Sequence, residues 1–598
     1  MKLNLDFYKE KEEVITEKEK QIIEEYIEKF DNKEYEEQFS PEITDKEIQI
    51  LSSTSQNILN WYPFEKYQTV LEIGGNLGEI TQVFVDKCEK VITIEPNLIK
   101  AKAIAKRYEN QNNLEVIVGN FENIKIQEKF DYIVLIGSTS RVKEIMGQDM
   151  KLTKMLQILE QYLSENGKFL IAVDNKFGLR YFVGNPENIL NKKFESIIGY
   201  NNEPEKIETY TKSRLERILK NIGYNTNFYY PLPDYKMPNV IFSDKQLPKY
   251  NSVDKYNPYC TENSTILMNE IDVFREILKN DENMFTFFTN SFLIEASKNE
   301  NPIKYKYISF NNMRKQKYRL ITKISDEYVE KQVVNEYANE HYENIKKNIN
   351  QIEDNNINTV DYEIAGKIQS KYIDPKLLLN NVITEALEKK SYETVEKVMD
   401  QYIQALNVNS YKEENYEKTV FAKYDIEIEN KELIKDMNFQ KNGLWDMTFK
   451  NCFYIDNELY FFDQEWAEEN LPTEYILYRS ILYTISLRRF INIEDWFKKY
   501  DLVKYRTIFE ELDNKMQEKI RDNKIWEFYS RNQYFDIDST KQEMTNMQIR
   551  DNAKQALINN LQKEKQQIQE EYAKYRNEVE QRFTNKIYRS MRKIIKGK

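Results

Sequence analysis

Two groups of residues in this chain have the types and spacing to do chemistry. Thr69 to Gly78 reads TVLEIGGNLG, a β-branched run entering a glycine-rich turn, and Glu95 closes the next apolar run. Glycines in such a turn let the backbone approach a ligand without a Cβ clash, and an acid ending the second strand accepts hydrogen bonds from ribose hydroxyls. Gly74, Gly78 and Glu95 fit a nucleoside-binding turn, and Glu72 opens its E-x-G-x-x-x-G pattern. That pattern departs from G-x-G-x-x-G and points away from hydride transfer. The second group lies in Leu444 to Trp466, LWDMTFKNCFYIDNELYFFDQEW. Phosphoryl transfer needs a carboxylate near the attacking hydroxyl, an Asn and an Asp on magnesium, and a lysine on the nucleotide phosphates. Asp446, Asn451, Asp463 and the strand lysine Lys331 supply them in that order. No glycine lies between Lys304 and Lys331, and neither His nor Arg directly precedes Asp446.

The elements around these residues are readable from periodicity. Between Tyr67 and Val173, the runs TVLEIG, KVITIEP, LEVIVGN, DYIVLIGS and KFLIAVDN alternate with helical segments, the rhythm of a parallel, doubly wound sheet. Residues 1–64 read as a helical N-terminal extension without chemistry, and 65–300 as the α/β domain. Residues 176–250 read as an insertion over the site plus the sheet elements FYYPLPDY and NVIFSD, and TFFTNSFLIEA as a last strand closing the sheet. YRLITKI and EYVEKQVV suggest a hairpin that opens a second, α+β domain at 304–535, followed by a helix. Glu336, Glu340 and Glu343 are all open as partners for Lys331. In residues 536–598, Ile558, Leu561, Ile568, Tyr572, Tyr575 and Val579 sit at heptad spacing that Lys565 interrupts, which predicts a coiled coil and a homo-oligomer.

Composition narrows the classes. At 598 residues the chain should divide into about three or four units. A net charge of −12 argues against a nucleic-acid partner, which needs a basic footprint. His341 is the only histidine, so Ser-His-Asp and multi-histidine metal chemistries cannot be assembled. Cys88, Cys260 and Cys452 have no paired spacing, and no run of 18 apolar residues exists. The expected location is cytoplasmic, with any membrane contact peripheral. After Glu580, Arg582, Lys586, Arg589, Arg592, Lys593, Lys596 and Lys598 interleave with apolar residues, a basic amphipathic tail suited to an anionic membrane face or a partner helix.

With its E-x-G-x-x-x-G turn and Glu95, the chain resembles class I S-adenosylmethionine-dependent methyltransferases over roughly residues 60–300. The resemblance implies a Rossmann-like fold, S-adenosylmethionine as cofactor, and adenine contacts at Asn120 and Phe121. DNKFGLRYFVG at Asp174 to Gly184, followed by FYYPLPDYKMP, is similar to methyltransferases encoded with bacterial surface-polysaccharide machinery. It implies that Asp174 and Asn175 face the methyl donor as catalytic residues, although a loop held by side-chain-to-backbone hydrogen bonds is an equal alternative. The 304–535 segment is similar to protein-kinase-like domains and implies ATP and Mg2+. A pseudokinase used for docking is the alternative. The whole order of parts resembles the bifunctional methyltransferase-kinases that terminate bacterial O-antigen chains. It implies a glycan or lipid-linked glycan acceptor and a glycosyltransferase or polymerase partner at the inner face of the cell membrane. A methyltransferase unrelated to glycans is a further alternative.

Overall fold

A computed structural model gives the fold of residues 1–9, 17–29, 36, 39–40, 42–200, 207–250, 252–261, 265–531 and 537–597. The tail residue Lys598 lies outside the described residues. The chain divides into two compact units, Met1–Asn532 and Gln533–Lys598.

The first unit is built on one long sheet. Its first half comprises β1 (Lys2–Asn4), β2 (Thr69–Ile73), β3 (Lys90–Glu95), β4 (Leu114–Val118), β5 (Phe130–Ile136), β6 (Leu163–Asp174), β7 (Asn225–Leu232), β8 (Val240–Ser243) and β9 (Ser291–Ser297). From the edge inward the order is β1-β4-β3-β2-β5-β6-β9-β7, parallel from β1 to β6. Val70, Leu71 and Ile73 of β2, like Ile133, Val134 and Leu135 of β5, are buried, as a strand covered on both faces requires. The chain order reverses between β2 and β5, so a crevice opens at the carboxyl ends of these strands, where doubly wound sheets bind ligands.

Two expectations are corrected. Lys2–Asn4 of the N-terminal extension is a strand paired parallel with β4 rather than part of an all-helical segment. The strand expected to close the sheet lies inside it: β9 runs antiparallel to both β6 and β7. All seven of its residues are buried, so its hydrogen-bonding groups need a partner on each side. The preceding Phe285–Phe288 is helical.

The sheet continues beyond β8 into β10 (Tyr307–Phe310), β11 (Leu320–Ile324), β12 (Tyr328–Val333), β15 (Lys367–Lys371) and β14 (Asp361–Ile364), all antiparallel. β11 and β12 form the expected hairpin. The helix Asn339–Asp354 leaves β12 and buries Ile345 and Ile349 against Leu320 and Ile368. The short strand β13 (Asn358–Thr359) then pairs with a later hairpin, β17 (Cys452–Ile455) and β18 (Glu458–Phe461). A separate ribbon joins β16 (Phe439–Leu444) to β19 (Ala467–Pro472). Helices Leu379–Glu388, Tyr392–Leu406, Thr473–Leu482 and Arg506–Ile520 pack around a second core that includes Tyr402, Phe449, Tyr475 and Phe509. Because β8 pairs directly with β10, the border expected at 300–304 is spanned by main-chain hydrogen bonds.

The second unit is a single helix, Ile537–Ile595. Its heptad residues Ile558, Leu561, Ile568, Tyr572, Tyr575 and Val579 are exposed. Among the described residues, no helix is long and apolar enough to cross a membrane.

Arg319, at the entrance to β11, is 2% exposed and is held by Glu36 of the extension at 2.5 Å and by Asp522 at 3.4 Å. Asp522 also caps the helix Asn523–Ser530. Removing one member leaves buried charge without its partner, so Arg319→Ala should cost about 3–5 kcal/mol. Thermal unfolding should register this as a fall of several degrees in Tm, whereas a change like that of a surface arginine would contradict the clamp.

Candidate active sites

The turn between β2 and the helix Thr81–Lys87 forms the first site. Gly74 and Gly78 both have φ of +79°, which side-chain-bearing residues rarely adopt. At Gly75, a residue the sequence reading passed over, an added Cβ would lie 2.3 Å from Thr93 Cγ2. Glu72 lies beneath the turn, accepting hydrogen bonds from the Thr81 and Thr93 hydroxyls, each at 2.7 Å. Burial pushes its carboxyl up to about 7 against those two bonds. Glu72 therefore supports the turn from below.

Glu95 ends β3 with no exposed surface. One carboxylate oxygen accepts from the Asn76 main-chain N–H at 2.9 Å, and the other from Asn97 N–H at 3.2 Å and Arg141 Nη2 at 3.0 Å. Arg141, 46 residues away, also chelates Glu144 through Nε at 2.7 Å and Nη2 at 2.6 Å. Asn76, Asn97 and Arg141 were not singled out in the sequence: the first two act through main-chain N–H groups, which any residue carries, and Arg141 reaches Glu95 only when the segment after β5 folds beside β3.

Asn120 and Phe121 follow β4 on the same side of the sheet. The Asn120 amide donates to the Glu144 carbonyl. The Phe121 ring is 3% exposed and packs edge-on to Tyr162 at 5.3 Å. The ring belongs to the core, so at this position the main chain is what faces the carboxyl end of the sheet.

Asp174 ends β6 and accepts from Asn188 Nδ2 at 2.9 Å, while its other carboxylate oxygen is buried with no hydrogen-bond partner. Burial raises its pKa, opposed by Lys236 and the Asn188 bond. The Asn175 side chain is fully engaged: Nδ2 donates to the Phe287 and Thr289 carbonyls, each at 2.7 Å, and Oδ1 accepts from Phe177 N–H at 3.2 Å. Every polar atom of the Asn175 side chain thus holds loop main chain, the arrangement set out as the alternative to a catalytic role.

In the second region, β12 carries Lys331 to the carboxylates of Asp463 and Glu465. Burial works against the ammonium, yet those two carboxylates raise its pKa. Glu336, Glu340 and Glu343, the three candidates on the helix side, do not provide the partner; Glu465 does. Glu465 is 5% exposed and also pairs with Arg314, with His341 Nε2 at 3.9 Å. Burial favours its neutral form, but Arg314 and Lys331 hold it well below the ordinary carboxyl range. Asp463 has φ of +59°, and its N–H donates to Asp361 Oδ2 at 2.6 Å. Burial, with the Asp463 charge adding to it, pushes Asp361 up to about 7.

Asp446 follows β16, and burial, with Glu465 nearby, pushes it up to about 6. Asn451 Nδ2 donates to the Asp446 carbonyl at 3.0 Å, and Gln464 Nε2 to the same oxygen at 3.1 Å. The fold therefore brings Lys331, Asp446, Asn451 and Asp463 into one neighbourhood. Among the described residues, no group of three or more His, Cys, Asp or Glu has a metal-holding arrangement.

Residues 37–227 match the family model described as a methyltransferase domain. The chain carries a methyltransferase domain. The match spans β2 to β6 and the Glu72–Glu95 turn. No curated protein matches the chain. Solved structures similar to it include the complex of the Haloferax volcanii Trm112 methyltransferase activator with a methyltransferase, at 12% identity over 42% of this chain and 90% of that one, TM-score 0.27. Haemonchus contortus phosphoethanolamine N-methyltransferase 1 is similar at 10% identity over 48% of this chain and 51% of its own, TM-score 0.27. A Thiobacillus denitrificans S-adenosylmethionine-dependent methyltransferase holding S-adenosylhomocysteine is similar at 14% identity over 43% and 92%, TM-score 0.24. These values are too low to transfer a ligand or substrate to this chain.

Between the ordinary carboxyl range and about pH 7, folded Glu72 keeps a proton that the unfolded chain has released, so its contribution to stability falls as pH rises through that window. Glu72→Gln cannot ionise. Its stability relative to wild type should therefore improve by about 3 kcal/mol between pH 5 and pH 8, read as a pH-dependent difference in Tm. A difference constant with pH would show that Glu72 ionises normally.

Proposed function

We propose that the methyltransferase domain of this chain binds S-adenosylmethionine over the Gly74–Gly78 turn and transfers its methyl group to a surface-glycan acceptor. The observation that carries the reading is the turn itself: three glycines packed so closely against Ile145, Thr93 and Tyr108 that no Cβ fits, backed by a buried acid at the end of the adjacent strand. The tight turn and Glu95 fit an adenosyl ligand. When bound, the cofactor supplies a methyl group made electrophilic by its sulfonium.

The chain's own residues bind and orient. Glu95 accepts from the ribose hydroxyls, which requires Arg141 to share or release one carboxylate oxygen. The main chain at Asn120 and Phe121 borders the base. Asp174, with an unpartnered carboxylate oxygen at the end of β6, takes the proton of an acceptor hydroxyl; an ionised phosphate acceptor would need no such base. The glycan acceptor, the polymerase partner and the placement at an anionic membrane face rest on the resemblance of DNKFGLRYFVG and of the order of parts.

The 304–535 region has a kinase-like role in this reading. The antiparallel order β10-β11-β12-β15-β14, a lysine on the third strand and the helix that follows support it. Lys331 would meet nucleotide phosphates, Asn451 and Asp463 would hold Mg2+, and Asp446 would accept the proton of the acceptor hydroxyl. The second reading, a single-activity methyltransferase with a scaffold domain, is favoured by the pairing of Lys331 with Asp463 and Glu465, which already satisfies its charge. The coiled coil in the helix Ile537–Ile595 then joins copies of the chain in either reading.

Calorimetric titration distinguishes these readings. S-adenosylhomocysteine should bind the wild-type chain, at least tenfold more weakly to Glu95→Ala, and normally to Asp463→Ala. ATP with Mg2+ should bind the wild type and Glu95→Ala but not Asp463→Ala. Failure of the first titration contradicts the methyl-donor site; failure of the second alone makes 304–535 a scaffold.

A further inference from the structure

Between the two halves of the long sheet lies a groove of about 670 Å³ whose lining shares only Lys331 with the proposed active sites. One wall is aromatic, from Trp61, Tyr62 and Phe64 of the extension. The other is formed by Tyr305, the outward residues of β11 and β12, and the turn at Gly366 and Lys367. A cavity of this size suits a small-molecule ligand.

Its charge is lopsided in a chain that is acidic overall. Lys66, Lys87, Lys304, Lys323, Lys331 and Lys367 line it, against four carboxylates. Three of those acids are engaged or spread over several lysines. Glu330 is buried and bound to Lys323 at 2.7 Å, with Lys367 at 3.8 Å; Asp86 accepts from Gln82 Nε2 at 2.6 Å; and Glu343 pairs with Lys346 at 2.8 Å. Glu65 is the fourth. Lys331 turns its ammonium to Asp463 and Glu465 instead. The lysines crowd one another: burial and the charge of Lys323 push Lys87 down to about 8, and Lys304 and Lys367 lower Lys323 after burial has done so. An anion in the groove relieves that repulsion.

We infer that this groove is a binding site for a small phosphate-bearing anion, held by Lys87, Lys304 and Lys367 around the Lys323–Glu330 pair. Glu330 and Lys331 are neighbours on β12 and project to opposite faces, so an occupant would lie across one strand from the Lys331–Asp463–Glu465 cluster. The inference does not depend on the function proposed above.

The probe is pyrophosphate, titrated calorimetrically into the full chain, with ADP as a second arm. Wild type and Asp463→Ala should bind pyrophosphate alike, and the double variant Lys304→Ala/Lys367→Ala at least tenfold more weakly. Both lysines are exposed, so an unchanged Tm in the double variant separates lost binding from lost folding. Tighter binding of ADP than pyrophosphate by Asp463→Ala, in which the Lys331–Asp463 site is lost, assigns the groove to a nucleotide, and the reverse to free phosphate. No binding by wild type, equal binding by the double variant, or loss in Asp463→Ala alone would overturn the inference.

Discussion

A carboxylate with no exposed surface must have its charge met by donors, and Glu95 organises the first site on that basis. Its two oxygens draw in the Asn76 and Asn97 amides and the Arg141 guanidinium. The glycine-rich turn, the cap of the helix Leu98–Arg107 and the segment after β5 are thereby fixed to one point. Without that acid, three pieces of chain distant in sequence would lose their common anchor. Glu72 performs a related task below the turn through the Thr81 and Thr93 hydroxyls, and burial pushes its carboxyl up to about 7 against those bonds.

The second region uses the same device with more charge. Glu465 gathers Arg314 and Lys331 from two different parts of the chain, and His341 stacks on the adjacent Trp466 at 4.4 Å. The two regions are then joined by main-chain pairing between β8 and β10, and by Arg319 gripping Glu36 and Asp522. A groove lined with lysines is what remains where these two halves meet.

Much of this was legible in the sequence where local rules govern. The β-branched runs ending at Ile73, Glu95, Val118 and Ile136 are strands because they are buried on both faces, and a continuous apolar run reports that directly. Gly74 and Gly78 were legible because a tight turn at the end of a strand needs positive φ. The illegible features depend on distant pairing. Arg141 on Glu95 and Glu465 on Lys331 join residues 46 and 134 positions apart, and no spacing rule links them. Phe121 and Asn175 are hard to read for a related reason: an aromatic ring beside a site and a polar side chain at a strand end serve packing and loop main chain as readily as a ligand. The strand at Lys2–Asn4 is too short to show a period.

In the function proposed above, the turn between β2 and the helix Thr81–Lys87 holds the adenosyl ligand. Hydrogen–deuterium exchange on the full chain, with and without S-adenosylhomocysteine, tests it most directly. Added protection should concentrate in residues 69–97 and 137–147, with β11 and β12 unchanged. Protection elsewhere, or none in residues 69–97 at saturating ligand, would contradict it.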